Sequence, residues 1–192
     1  MPSILIVYGS TYGQTERIAR RIGEILGQAE YTVNIYRGDQ LPDPLLLGTY
    51  AGIVVAASVL RNHHQQYIRQ FVRRQAERLN RLPSAFVSVC SAAGSDPASA
   101  GGYVETLLRE SGWRPWLIRS FTGAVAYTKY PWPVRWVLKR ISRSKGLPTD
   151  TSRDWEFTEW NEVDAFARTL AGTFAPAAVG ALHPTSTARA GY

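Results

Sequence analysis

The sequence predicts a doubly wound α/β domain: a five-stranded parallel sheet of order 2-1-3-4-5, with a basic, aromatic insertion before the last helix. Three observations predict it. Short apolar runs alternate with segments of helical periodicity over most of the 192 residues. The first apolar run passes through a hydroxyl-rich turn straight into an amphipathic helix. In such a sheet the segments 10–15, 58–64 and 90–102 would converge beyond the strand C-termini, near the reversal of strand order, where ligands bind.

Residues 3–8 form strand one around the run Ile4-Leu5-Ile6-Val7. Helix one covers 14–26, with Ile18, Ala19, Ile22, Ile25 and Leu26 at helical spacing. Residues 31–36 alternate and read as strand two; 52–57, with Ile53, Val54 and Val55, read as a buried strand three. In the helical segment 65–79, Ile68, Phe71, Val72 and Leu79 share a stripe. Strand four is 84–90, and 101–111 is a short helix with Val104, Leu107 and Leu108 inward. Strand five is 116–125, interrupted at Gly123. Thr158 is expected to cap the last helix, with Glu159 and Glu162 in its first turn and Trp160, Val163, Phe166, Ala167 and Leu170 on its apolar side. After 171 the chain turns rich in Ala, Pro, Gly, Ser and Thr without periodicity, so 1–171 reads as the domain and 172–192 as a disordered tail.

Composition bounds the function. A hydrophobic content of 45% suits a globular core. The single cysteine, Cys90, excludes a disulfide framework and a four-cysteine zinc site, and suits a reducing compartment. No run approaches the roughly 20 apolar residues of a membrane-spanning helix. The net charge of +7 favours an acidic partner or an anionic surface.

The turn Ser10-Thr11-Tyr12-Gly13-Gln14-Thr15 is the strongest motif. Backbone N–H groups at a helix start have no intrahelical acceptor, and the helix dipole favours an anion there. Ser10, Thr11 and Thr15 add hydroxyl donors, and Gly13 allows close backbone approach or positive φ. The turn holds no Lys or Arg, so neutral donors would bind the anion, unlike the Gly-Lys-Ser/Thr of a Walker loop. A plain N-capped βα turn shows the same hydroxyl richness; the strand–turn–helix context favours a phosphate cradle.

At this turn the sequence resembles the flavodoxin family, whose phosphate loop S/T-x-T-G-x-T holds the 5′-phosphate of FMN. Tyr12 stands where the family commonly has Thr. The resemblance implies a flavodoxin-like fold and FMN, with Ser10, Thr11, Tyr12, Gly13, Gln14 and Thr15 on the phosphate, and Ser58, Val59, Leu60, Ser91, Ala92, Ala93 and Gly94 along the ring.

Two features depart from a plain electron carrier of that family. Such carriers are typically acidic, whereas this chain carries +7. The second is the insertion 127–145. From Pro133 it can form a helix with Val134, Val137, Leu138 and Ile141 on one side. Arg135, Lys139 and Arg143 fall opposite, with Trp136 and Arg140 near them, and Tyr127, Tyr130 and Trp132 precede the helix.

This insertion is similar to that of the flavodoxin-type, quinone-dependent protoporphyrinogen IX dehydrogenases of haem biosynthesis. The likeness includes Phe71-Val72-Arg73-Arg74, Gly112-Trp113-Arg114-Pro115, the spaced Tyr127, Lys129, Tyr130, Trp132 and Arg135, and Thr149-Asp150-Thr151. The chain departs at Ser58-Val59-Leu60, where that family tends to have Ser-Ile-Arg, and in the small-residue segment 90–102. The resemblance implies oxidation of protoporphyrinogen IX with menaquinone or ubiquinone as acceptor, on the inner face of the cytoplasmic membrane. Tyr127, Lys129, Tyr130, Trp132, Arg135, Trp136, Lys139, Arg140 and Arg143 would contact substrate propionates and ring, or anionic lipid. Nucleic acid is not an expected partner. No catalytic acid or base is assigned; His63 is the candidate proton shuttle. Two other readings stay open, a flavodoxin-type electron carrier and a flavodoxin-fold NAD(P)H-quinone reductase.

Overall fold

The computed structural model describes residues 1–94, 96–125, 136, 150, 152 and 155–175. The main sheet runs β2-β1-β3-β5-β6, all parallel: β1 (Ser3–Gly9), β2 (Thr32–Arg37), β3 (Gly52–Leu60), β5 (Ser84–Cys90) and β6 (Leu117–Thr122). This is the expected 2-1-3-4-5 order once the two-residue β4 (His63–His64) is set aside; β4 folds back antiparallel on the end of β3.

Period-two alternation divides the sheet between two cores. Ile4 and Ile6 face α1 (Gln14–Gln28) and α4 (Trp160–Thr173), joining Ile18, Ile22, Val163 and Leu170. Leu5 and Val7 face the other way, with Ile68, Phe71 and Val72 of α2 (Gln66–Asn80) and Val104 and Leu107 of α3 (Pro97–Ser111). Ile4 to Val7 are fully buried, which explains an apolar run without polar alternation. Each such side chain contributes roughly 1.5–3 kcal/mol by burial.

The structure revises several boundaries. α3 begins a turn earlier than the apolar pattern suggests. Asp96 caps it, accepting from the Ser99 N–H at 3.1 Å and the Ser99 hydroxyl at 2.6 Å, and Pro97 stands at its first position. Strand five does break at Gly123: β7 (Ala124–Val125) leaves the sheet and pairs with β8 (Trp155–Glu156). Thr158 does not cap the last helix. Its hydroxyl donates to the Thr122 carbonyl at 2.8 Å, and Glu159 holds the N-cap position without a side-chain cap. α4 reaches Thr173, and Phe174 is fully buried; a Cβ on Gly52 would stand 2.4 Å from its ring. The packed domain therefore continues past 171, where composition alone suggested a tail. Residues 176–192 lie outside the described residues, as do Tyr127, Lys129, Tyr130, Trp132, Arg135, Lys139, Arg140 and Arg143 of the insertion. Trp136 is described: it is helical and 61% exposed. Among the described residues no helix is long and apolar enough to cross a membrane.

Candidate functional site

At the C-terminal edge of the sheet, β1 ends against α2, and a Cβ on Gly9 would lie 2.5 Å from Ile68. The chain then turns. The Ser10 N–H donates to the Tyr67 hydroxyl at 3.1 Å, and the Gly13 N–H donates to Ser10 Oγ at 2.9 Å. Gly13 holds the N-cap of α1 at φ 96°, in the left-handed region that favours glycine, and no side chain caps the helix. The first intrahelical bond runs from the Arg17 N–H to the Gly13 carbonyl at 3.1 Å. The N–H groups of Gln14, Thr15 and Glu16 therefore start the helix without intrahelical acceptors.

Thr15 supplies the sharpest observation. It is 1% exposed, and its hydroxyl has no hydrogen-bond partner among the described residues. An unpaired buried hydroxyl costs about 1–3 kcal/mol unless a ligand satisfies it. Next to an uncapped helix start it joins the N–H groups and the Ser10 and Thr11 hydroxyls in a donor set that an acceptor-rich anion would satisfy. The phosphate of FMN fits this donor set.

A cavity of about 120 Å³ is lined by Ser10, Thr11, Tyr12, Gln14, Thr15, Ser58, Val59, Leu60 and Ser91. All of these are residues that the resemblance assigned to the cofactor. Cys90, from the segment expected to converge here, joins them, and Val89, Gly123 and Ala124, which were not foreseen, complete the lining. Ala92, Ala93 and Gly94 do not line it; with Ser91 they form a 3₁₀ turn, in which Ala92 is buried. The volume is about four water volumes, room for a phosphate group. Wider grooves of 690 Å³, between segment 38–46 and α2, and 430 Å³, between α2 and α3, contain none of the converging donors. Size does not locate the site; unsatisfied donors do.

Gln14 lines the cavity, but its side chain is engaged elsewhere. Its amide donates to Glu156 Oε1 at 2.9 Å and to Thr158 Oγ1 at 2.8 Å, so its backbone N–H is its contribution to the cradle. Arg17 pairs with Glu156 at 2.7 Å. Burial raises the Glu156 carboxyl, but hydrogen bonds from Arg17 and Gln14 outweigh it and leave the group below its ordinary value. Arg17 is thus paired, and the turn 10–15 itself contributes only neutral donors.

On the far rim, Arg61 and Asn62 both take positive φ (51° and 68°) and make the two-residue hairpin turn from β3 to β4. It pairs Val59 with His64 and Leu60 with His63. His63 is exposed on this hairpin. His64 is buried, 3.0 Å from Ser88 Oγ and edge-on to Phe86; burial first, then Arg69 and His63, push it down to about 4. Cys90 is a buried free thiol, raised chiefly by burial, as a small core residue would be. Among the described residues no group of His, Cys, Asp and Glu could hold a metal ion.

Comparison with known proteins follows the same lines. The family profile described as flavodoxin domain matches residues 5–152. A protoporphyrinogen IX dehydrogenase (quinone) from Escherichia coli K12 is 31% identical over 87% of this chain and 93% of its own length. One from Leishmania major is 28% identical over 88% of this chain and 75% of its length. Among solved structures, oxidised flavodoxin 1 from Bacillus cereus superposes with a TM-score of 0.54 at 16% identity, covering 88% of this chain and 97% of that one. An apo NADH:FMN oxidoreductase gives 0.56 at 10% identity, covering 92% and 91%. At those identities the structural likeness concerns the fold.

Proposed function

The chain belongs to the flavodoxin family and is a flavin-dependent oxidoreductase with FMN as its cofactor; from this premise we propose that it oxidises protoporphyrinogen IX to protoporphyrin IX, passing electrons to a membrane quinone in haem biosynthesis. The observation that carries the substrate is the 31% identity, over most of both chains, to a protein named for that reaction. FMN, once bound, supplies the electron chemistry. The chain's own residues hold and orient it. The hydroxyls of Ser10, Thr11 and Thr15 and the first N–H groups of α1 would hold the phosphate, and Ser58–Leu60 and Ser91 would border the ring.

The insertion suits the substrate, a large apolar ring with carboxylate arms. Arg135, Lys139, Arg140 and Arg143 would pair with propionates, and Tyr127, Tyr130, Trp132 and Trp136 would lie against the ring. The same residues, with Lys129, would hold the domain on an anionic bilayer, where each basic group contributes on the order of 1 kcal/mol. On this reading the protein would sit at the cytoplasmic face as a peripheral protein, with access to menaquinone or ubiquinone. Exposed His63 would relay protons near the rim.

The experiment is direct. Purified protein with FMN, protoporphyrinogen IX and a quinone analogue should produce protoporphyrin fluorescence without any partner protein. A rate no greater than autoxidation rejects the substrate. Turnover only with a protein reductase would instead support an electron carrier.

A further inference from the structure

Gln65 stands at the N-cap of α2, yet its side chain caps nothing. It reaches instead between the two halves of the site. Nε2 donates to Thr11 Oγ1 of the anion turn at 3.2 Å and to Ser58 Oγ at the end of β3. Its Oε1 is buried without a partner against the end of β1, where a Cβ on Gly9 would stand 2.9 Å away. Donation is therefore what this side chain supplies.

The polarity matters. A hydroxyl that accepts an N–H keeps its own hydrogen for another acceptor. With one amide hydrogen toward each oxygen, the Thr11 and Ser58 hydrogens are left for the cavity that both residues line. Ser10 shows the same arrangement: its oxygen accepts from the Gly13 N–H, leaving its hydrogen as a donor. We propose that Gln65 is a positioning residue of the cofactor site, polarising Thr11 and Ser58 so that Thr11 presents its O–H donor to the flavin phosphate and Ser58 presents its own to the acceptor edge of the ring. The inference rests on the FMN reading of the site. It adds a residue outside the turn, from the start of a different helix, that sets the direction of two hydrogen bonds.

Two substitutions separate polarity from packing. Gln65→Met keeps the length but removes the donors. Gln65→Glu keeps the shape but makes the group an acceptor, drawing both hydroxyl hydrogens away from the ligand. Affinities for FMN and for riboflavin, which lacks the phosphate, are read from quenching of flavin fluorescence, with circular dichroism to verify the fold. We expect FMN to bind about tenfold more weakly in Gln65→Met and about 100-fold more weakly in Gln65→Glu, with about threefold effects on riboflavin. Equal FMN affinity in the two variants, or an unchanged affinity in Gln65→Met, overturns the proposal while leaving the FMN site intact. A wild-type protein that quenches neither flavin overturns the FMN reading, and the proposal with it.

Discussion

Acidification from pH 7.5 to 5 should destabilise the protein by about 2 kcal/mol through His64. The ring is 4% exposed, edge-on to Phe86 at 5.2 Å, and Phe86 in turn packs edge-on to buried Trp113 at 5.6 Å. Ser88 Oγ is its hydrogen-bond partner, and Arg69 and His63 add positive charge nearby. A proton on this ring loses water and gains no counter-charge, so its value falls from 6.5 to about 4. The unfolded chain then binds the proton more readily than the folded one. The contribution is complete above 6.5, falls by about 1.4 kcal/mol per pH unit on the way toward 4, and is lost below that. The depressed carboxyls Glu110, Glu156 and Asp164 act in the same direction but at lower pH, so the upper part of the window isolates the histidine. Urea unfolding in steps across this range, for wild type and His64→Gln, reads the effect. The wild type should lose stability while the variant stays nearly flat. Parallel losses in the two proteins would refute the assignment.

Three further outcomes follow from the geometry. Thr15→Val removes the buried unpartnered hydroxyl while keeping its volume; it should stabilise the FMN-free protein slightly yet weaken FMN about tenfold by fluorescence titration, leaving riboflavin unchanged. Gly52→Ala drives a Cβ into the buried Phe174 ring and should cost about 1–3 kcal/mol, seen as a lower Tm by calorimetry. Deletion of 127–145 should leave FMN bound and reduce both protoporphyrinogen turnover and sedimentation with anionic vesicles; unchanged values in both assays would show that the segment has neither role.

The fold was legible because its signals are local and repeated. β1 and α1 announce themselves by period, and glycine and hydroxyls mark the turn between them. The start of α3 was hidden because its first turn, 97–100, holds no large apolar residue to extend the stripe, while the Asp96-Pro97-x-Ser99 cap carries the real signal. The role of Thr158 was hidden because a threonine before a helix reads as a cap. In three dimensions its hydroxyl is taken by the Thr122 carbonyl, across the gap where β6 ends. The β4 hairpin was hidden because Arg61-Asn62 is not an Asn-Gly or Gly-x turn; pairing with β3 holds both residues at positive φ.

The site divides the same way. The residues legible from sequence are those that would touch the cofactor, because their chemistry and spacing sit within one turn. The residues that organise the turn are distant from it in sequence: Gln65 from the start of α2, and Glu156 from beyond the insertion. Their types carry no motif, and only the return of the chain to the sheet's edge brings them to Thr11, Ser58 and Gln14. Glu156 has a further consequence. By pairing with Arg17 at the first turn of α1, it leaves the turn 10–15 to dipoles and hydroxyls, which would grip a dianion by geometry rather than by net charge.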